Sequence, residues 1–465
     1  MDQTPETFDA IIIGAGQAGP ALANRLSGAG MRVAVIERDR VGGTCVNVGC
    51  TPTKAMVASA RVARQAARAG DYGVVLEGAP AVDMAAVHAR TAAIVGKSRD
   101  GLERWLSRLP GCTLVRGHAR FESARTVRVG ERLLRAEKIF INVGGRPSTP
   151  DIAGLDRVAW LDSDDMVALA ELPRHLVVIG GSYVGLEFAQ MFRRFGAQVT
   201  VVERSARLIP REDEEVSDQV REILEGEGIG FRLGVSCIAV EPHADGVAVL
   251  TDGGSEKVVG SHVLVAAGRT PNTDDLGLDK AGVERDAHGT VKVDDALATS
   301  APGIWALGDC NGRGAFTHTA YNDYEIVAAN LLDGATRSVR ERIPVYALYI
   351  DPPLGRVGLT ARQARDQGRK VRIGQRPMTR VGRAVEKGEP QGSMRLVVDA
   401  DSDEILGAAI LGPGGDEAVH MVLAAMAGGM RAAGLARVMA IHPTVAELIP
   451  TIAGELAPAP ESGAG

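Results

Sequence analysis

Two stretches of the chain share one order of apolar and polar positions. Residues 11–38 read IIIGAGQAGPALANRLSGAGMRVAVIER, and residues 177–204 read VVIGGSYVGLEFAQMFRRFGAQVTVVER. They align without a gap, 166 positions apart. Each opens on an apolar run, turns at a glycine cluster, continues at helical spacing, meets a glycine and closes on a second apolar run ending in Glu-Arg. This pattern predicts strand, turn, helix and strand, written twice. Further along, TKAMVASARVARQAARA predicts a helix behind a glycine-rich segment. GSMRLVVDADSDEILGAAILG predicts a hairpin, and DEAVHMVLAAMAGGM a helix after it, in a C-terminal stretch that reads as a separate domain.

In the first copy Gly14, Gly16 and Gly19 occupy the positions of the dinucleotide fingerprint. The first serves a tight turn, the second lets backbone approach a pyrophosphate, and the third lets helix and strand pack. The helix N-terminus then faces the phosphates. Glu37 closes the second strand, where a carboxylate accepts hydrogen bonds from a ribose. The second copy supplies Gly180, Gly185 and Glu203, with Ser182 at the middle glycine position. Two such units imply two dinucleotides; a bound flavin and a visiting nicotinamide are one pair that fits, and the pattern alone does not say which is which.

Composition narrows the class. A chain of 465 residues implies about two to four domains. A net charge of -6 without a basic block argues against nucleic acid or anionic membrane as partners. No apolar run reaches membrane-spanning length, and MDQTPETFDA lacks a basic leader, so the expectation is a cytoplasmic protein. The five cysteines then form no disulfide scaffold, and no Cys/His cluster has structural-zinc spacing, so no metal site is expected. Cys112, Cys237 and Cys310 read as buried small residues.

The other two cysteines stand in GGTCVNVGCTPTK, Gly42 to Lys54. Cys45 and Cys50 are five apart, and five helical residues rise about 7.5 Å, beyond the roughly 7 Å Cα separation a disulfide tolerates. If the two bond, part of the segment is not regular helix. Gly42, Gly43 and Gly49 loosen it, and Thr51-Pro52 reads as an N-cap followed by proline at the first helical position. Cys50 then precedes a helix N-terminus, whose free amides, with Lys54 in the first turn, favour a thiolate.

GGTCVNVGCTPTK resembles the redox-disulfide signature of the class I flavoprotein disulfide reductases, the pyridine nucleotide-disulfide oxidoreductases. The resemblance covers nearly the whole chain. It implies an α/β protein with two Rossmann-like dinucleotide-binding domains and a C-terminal α+β dimerisation domain. The expected boundaries are 1–150 and 271–338 for the FAD domain, 151–270 for the NAD(P) domain and 339–465 for dimerisation. By the resemblance the first unit binds FAD, with Gly43 and Thr44 of the redox segment, and the second binds NADH or NADPH. Cys45 is the interchange thiol and Cys50 the charge-transfer thiolate against the flavin.

Other strings fit in order along the chain. FINVGGRPSTP, with Gly144, resembles the exit from the FAD domain, and LVAAGRTPN, with Gly268, the exit from the nicotinamide domain. TSAPGIWALGDC resembles the second FAD motif, in which Asp309 holds the ribityl chain. VRGHARF resembles the segment whose backbone at Ala119 meets adenine. Lys54 and Glu187 match a pair beside the flavin N5, and Tyr183 a residue that covers the flavin face until nicotinamide displaces it. IHPTVAELIP resembles the acid/base motif: His442 exchanges protons near neutrality and Glu447 orients it. His318 and His420 read as structural. The family implies a homodimer in which His442 serves the partner's cysteines.

The implied activity is passage of electrons from NAD(P)H through FAD and Cys45–Cys50 to a small disulfide, or the reverse oxidation of a dithiol. The alternatives are a metal-ion reductase of the mercuric type and a non-catalytic flavoprotein subunit. His442 and the lack of any cysteine after Cys310 count against the mercuric type. Glu203 suits a ribose hydroxyl and leans the coenzyme toward NADH, while Arg204 and Arg207 stand where a 2′-phosphate would bind.

Overall fold

A computed structural model describes residues 4–459. Both predicted repeats form parallel sheet. In the first, the strands run in the order Ile304–Ala306, Lys138–Ile141, Ala10–Ile13, Val33–Glu37 and Cys112–Arg116. The second orders Gly230–Leu233, Gln198–Glu203, His175–Ile179 and His262–Val265. Their apolar runs are unbroken because both faces of each sheet are covered, one by helices and the other by a small antiparallel sheet; every residue of Ala10–Ile13 and Val33–Glu37 is buried. The helices Ala18–Gly28 and Tyr183–Phe195 follow the two glycine turns.

The strand Ile304–Ala306 returns to the first sheet after the whole second unit has been built, pairing in parallel with Lys138–Ile141. The two exit segments pair with each other: Gly145–Pro147 and Arg269–Pro271 run antiparallel, with Thr270 opposite Arg146. The third domain is a six-stranded sheet. Its centre is the predicted hairpin, Ser393–Asp399 against Ile405–Leu411, and the helix Gly415–Ala427 follows. No helix among the described residues is long and apolar enough to cross a membrane.

Buried charges stitch the domains together. Asp351, on the third domain, takes Arg61 from the helix Cys50–Ala67 and Arg194 from Tyr183–Phe195, the latter at 2.5 Å. Arg356 donates through Nε at 2.9 Å to Glu212 of the second unit; the side chains are 1% and 0% exposed. Removing one partner of such a pair strands the other charge without water. Glu212→Ala is therefore expected to lower stability by about 3–5 kcal/mol, read as a reduced urea midpoint. Glu212→Ala with an unchanged midpoint would refute this.

Candidate active site

The two glycine turns are built alike down to their hydrogen bonds. Gly14 has φ 105° and Gly180 φ 120°. A Cβ on Gly14 would lie 2.2 Å from the Asn142 carbonyl oxygen, and one on Gly180 2.6 Å from that of Ala266. A Cβ on Gly19 would meet Gly14 O at 2.4 Å, and one on Gly185 would meet Gly180 O at 2.1 Å. The first and third glycines are thus required by packing within the protein. The middle one is not: a Cβ on Gly16 comes no closer than 3.6 Å to anything. Its open side fits a pyrophosphate approaching the backbone, and it explains how Ser182 sits exposed at the matching place.

Glu37 accepts from the Ala15 amide at 2.8 Å and the Asp39 amide at 2.9 Å. Glu203 accepts from Gly181 at 2.6 Å and Ser205 at 2.7 Å, the same pair of positions one repeat later. Each carboxylate oxygen keeps a lone pair for a ribose hydroxyl. Arg204 is exposed, whereas Arg207 is ion-paired with Glu214.

The redox segment packs directly on the first turn. Gly43, φ 60°, would place a Cβ 2.8 Å from Gly16 Cα. A short helix, Gly43–Asn47, carries Cys45; Val48 and Gly49 break it, and a second helix, Cys50–Ala67, begins. The expected start at Thr51-Pro52 lies too late. Cys50 is itself the first helical residue and Pro52 the third, a place where a missing N–H is still without cost.

Cys45 and Cys50 are both thiols here. The Cys45 S–H donated to its sulfur is the main reason Cys50 is held down at about 6, with help from Thr317 and the Lys54 charge and against burial and Glu187. Cys45 is pushed up by that same bond and by burial. Lys54 acts as expected, but the neighbouring thiol acts more strongly. Thr317, at 3.4 Å from Cys50 Sγ, went unnoticed in the sequence because it lies 267 residues away.

Lys54 Nζ stands 2.8 Å from Glu187 Oε2, joining the first unit to the second. Tyr183 packs edge-on against Tyr346 at 5.5 Å, and both hydroxyls reach Glu212 Oε1, at 3.4 and 2.7 Å. Asp309 lies on the turn Gly308–Asn311, 4.0 Å from Arg269 Nε, and burial pushes its carboxyl up. Arg269 also donates to Thr44 Oγ1 at 3.4 Å and to the Gly145 carbonyl, tying the redox segment to both exits. Gly144, φ 60°, has open space on its Cβ side. Gly268, φ 114°, accepts from the Ser148 amide at 3.1 Å. Ala119 is buried in the strand Ala119–Ser123. Asn142, which donates to Gly14 O at 3.0 Å, is a second residue the sequence reading missed.

His442 Nδ1 lies 2.9 Å from Glu447 Oε2. The imidazole is 82% exposed and Glu447 17%. Among the described residues neither ring nitrogen bonds to Cys45 or Cys50. His318 lies 2.7 Å from the Val345 carbonyl oxygen, and burial lowers its basicity; His420 lies 3.3 Å from that of Glu417. Cys310 is buried and Cys112 half-buried, but Cys237 is exposed, in the loop before the strand Ile238–His243, so burial does not describe it.

Comparison with known proteins follows the same outline. The family model described as pyridine nucleotide-disulphide oxidoreductase matches residues 8–323, and that of its dimerisation domain residues 345–453. The probable pyridine nucleotide-disulfide oxidoreductase RclA of Escherichia coli is 34% identical over 448 residues, 95% of this chain and 97% of its own. The structure titled as the Cu(II) complex of the HOCl-induced flavoprotein disulfide reductase RclA superposes with a TM-score of 0.89 at 32% identity, covering 97% of this chain and 99% of that one. A dihydrolipoyl dehydrogenase of Thermus scotoductus is 34% identical over 447 residues, covering 95% and 96%. A mercuric reductase of Streptomyces lividans is 33% identical over 456 residues, covering 97% and 96%.

Proposed function

Because this chain belongs to the pyridine nucleotide-disulphide oxidoreductase family, whose members act on sulfur groups with NAD(P)H, we propose that it reduces a small disulfide at Cys45 and Cys50. FAD, when bound, carries two electrons from nicotinamide to sulfur. Gly14, Gly16, Gly19, Glu37, Gly43, Thr44, Ala119, Gly144 and Asp309 would hold it. Gly180, Tyr183, Gly185, Glu203, Arg204 and Gly268 would receive the coenzyme.

The observation that carries the reading is the setting of the thiol pair. Cys50 opens the helix Cys50–Ala67 at 3.4 Å from Thr317 Oγ1, with Lys54 and Glu187 beside it, and its thiol is held down, while that of Cys45, on the short helix before the break, is pushed up. That division suits two different tasks. Cys45, once deprotonated, attacks the substrate disulfide and forms a mixed disulfide, releasing one thiol. The Cys50 thiolate then attacks the Cys45 sulfur, releases the second thiol and closes Cys45–Cys50. His442, oriented by Glu447, takes the proton from Cys45 and returns it to the leaving thiol. Its exposure supports service to a partner subunit's cysteines. Reduced coenzyme and reduced thiols coexist in the cytoplasm, where we place this cycle.

A metal-ion substrate is the second reading, favoured by relatives named mercuric reductase and by the Cu(II) complex of RclA. The His442–Glu447 pair weighs for disulfide chemistry, since a proton acceptor serves a leaving thiol. Steady-state assays of the purified protein against lipoamide, glutathione disulfide, other small disulfides, Hg(II) and Cu(II), each with NADH and NADPH, test both. Disulfide turnover that falls on loss of His442, with higher kcat/KM for NADH, is expected. Efficient metal-ion turnover indifferent to His442 would reverse the ranking, and a large NADPH preference would give Arg204 more weight than Glu203.

A further inference from the structure

The Lys54 ammonium is held between a carboxylate and an aromatic ring. Its Nζ lies 2.8 Å from Glu187 Oε2 and 4.4 Å from the centroid of the Tyr349 ring. The Tyr349 backbone N–H in turn donates to the other Glu187 oxygen at 3.0 Å. Lys54 comes from the first dinucleotide unit and Glu187 from the second. Tyr349 comes from neither: it follows the strand Val345–Leu348 of the third domain. Among the described residues its hydroxyl has no hydrogen-bond partner, so only its ring face and its backbone do the holding. A lysine on a four-carbon stem is mobile, and an aromatic face restrains its charge without competing for its hydrogen bonds.

We propose that Tyr349 is a positioning residue: its ring and amide fix the Lys54–Glu187 pair at the dithiol, so that the third domain sets where the positive charge beside Cys50 lies. The inference rests on the reading of Lys54 and Cys50 given above. The charged and titratable groups bearing on Cys50 are Cys45 from its own segment, Lys54 from its own helix and Glu187 from Tyr183–Phe195. Tyr349 itself faces Asp416 and Glu417 from the helix Gly415–Ala427, with Glu187 and Cys50. Loss of the ring frees Lys54 to turn toward water and leaves Glu187 nearer than its counter-charge. Both changes disfavour the thiolate.

The test uses the reduced holoenzyme. Iodoacetamide alkylation of Cys50 is followed against pH, with Cys45 and Cys50 resolved by fragment mass spectrometry. Tyr349→Leu is expected to raise the half-maximal pH by about half a unit, roughly a threefold loss of thiolate on the acid side. Tyr349→Phe should leave it in place. Lys54→Met should raise it at least as far, and Tyr349→Leu added to Lys54→Met should shift it no further. If Tyr349→Leu is silent while Lys54→Met shifts the curve, the proposal fails and the reading of Lys54 stands. If Lys54→Met is silent, that reading fails and the proposal with it. A shift in Tyr349→Phe equal to that in Tyr349→Leu would assign the effect to the hydroxyl and overturn the inference. Should Tyr349→Leu not fold, Tyr349→Met takes its place under the same outcomes.

Discussion

Cys50→Ser is expected to release one equivalent of thiol per subunit from a disulfide substrate and then stop. In this variant the Cys45 sulfur still attacks the substrate: one sulfur–sulfur bond breaks, another forms, and one thiol leaves with a proton. The next step requires a sulfur anion against Cys45. A serine hydroxyl is neither anionic near neutrality nor able to form the disulfide, so the mixed disulfide persists. Steady-state turnover is expected to fall on the order of 10³-fold or more, as for other residues that act as a unit. The bond to Cys50 is also the first cause of the raised Cys45 pKa, so Cys45 should become more acidic in the variant. Counting released thiol in a rapid-quench experiment separates the burst from turnover. Cys45→Ser should give no burst at all. Equal bursts from the two variants would show the cysteines to be interchangeable and would remove the division of labour argued here.

What made this pair legible was its spacing together with its glycines. The break at Val48 and Gly49 is where the distance argument needed one, because a straight helix would have held the sulfurs apart. The repeat was legible for a similar reason, since parallel strands buried on both faces and tight glycine turns each leave a local mark. The helix start was misplaced because a proline is tolerated anywhere in the first turn, so Thr51-Pro52 does not fix which residue begins it. Thr317, Tyr349, Asn142 and Arg269 left no such mark. Each meets the site from more than a hundred residues away, Tyr349 and Arg269 across a domain boundary, and an ordinary threonine, tyrosine, asparagine or arginine carries no periodicity that says what it will face. The acidity of Cys50 was foreseen, but its chief cause was not: the sequence shows a helix N-terminus and Lys54 four residues away, whereas the bond from Cys45 depends on how the break at Val48 and Gly49 folds the segment.

The placement of His442 gives the second large effect, and it is read in hybrid dimers. His442→Ala alone should cost on the order of 10²–10⁴-fold in disulfide turnover, the usual range for a lost general acid–base. That loss does not say which subunit the imidazole serves. Co-expressing a Cys45→Ser protomer with a His442→Ala protomer under different affinity tags does. If the imidazole works across the dimer, one site of the hybrid combines an intact dithiol with His442 of the partner subunit, and the other lacks both. The hybrid then has about half the activity of the parent dimer, although each homodimeric variant is nearly inactive. If the imidazole serves its own chain, both sites are broken and the hybrid is as inactive as its parents. The exposed imidazole, held by Glu447 and flanked by Ile441 and Met439 at 80% and 96% exposure, is the observation that favours the first result. A bare apolar surface beside the proposed proton acceptor suits a contact with a second subunit, and the matched dimerisation domain spans this segment. An inactive hybrid whose two chains are shown to be paired would move His442 to its own subunit.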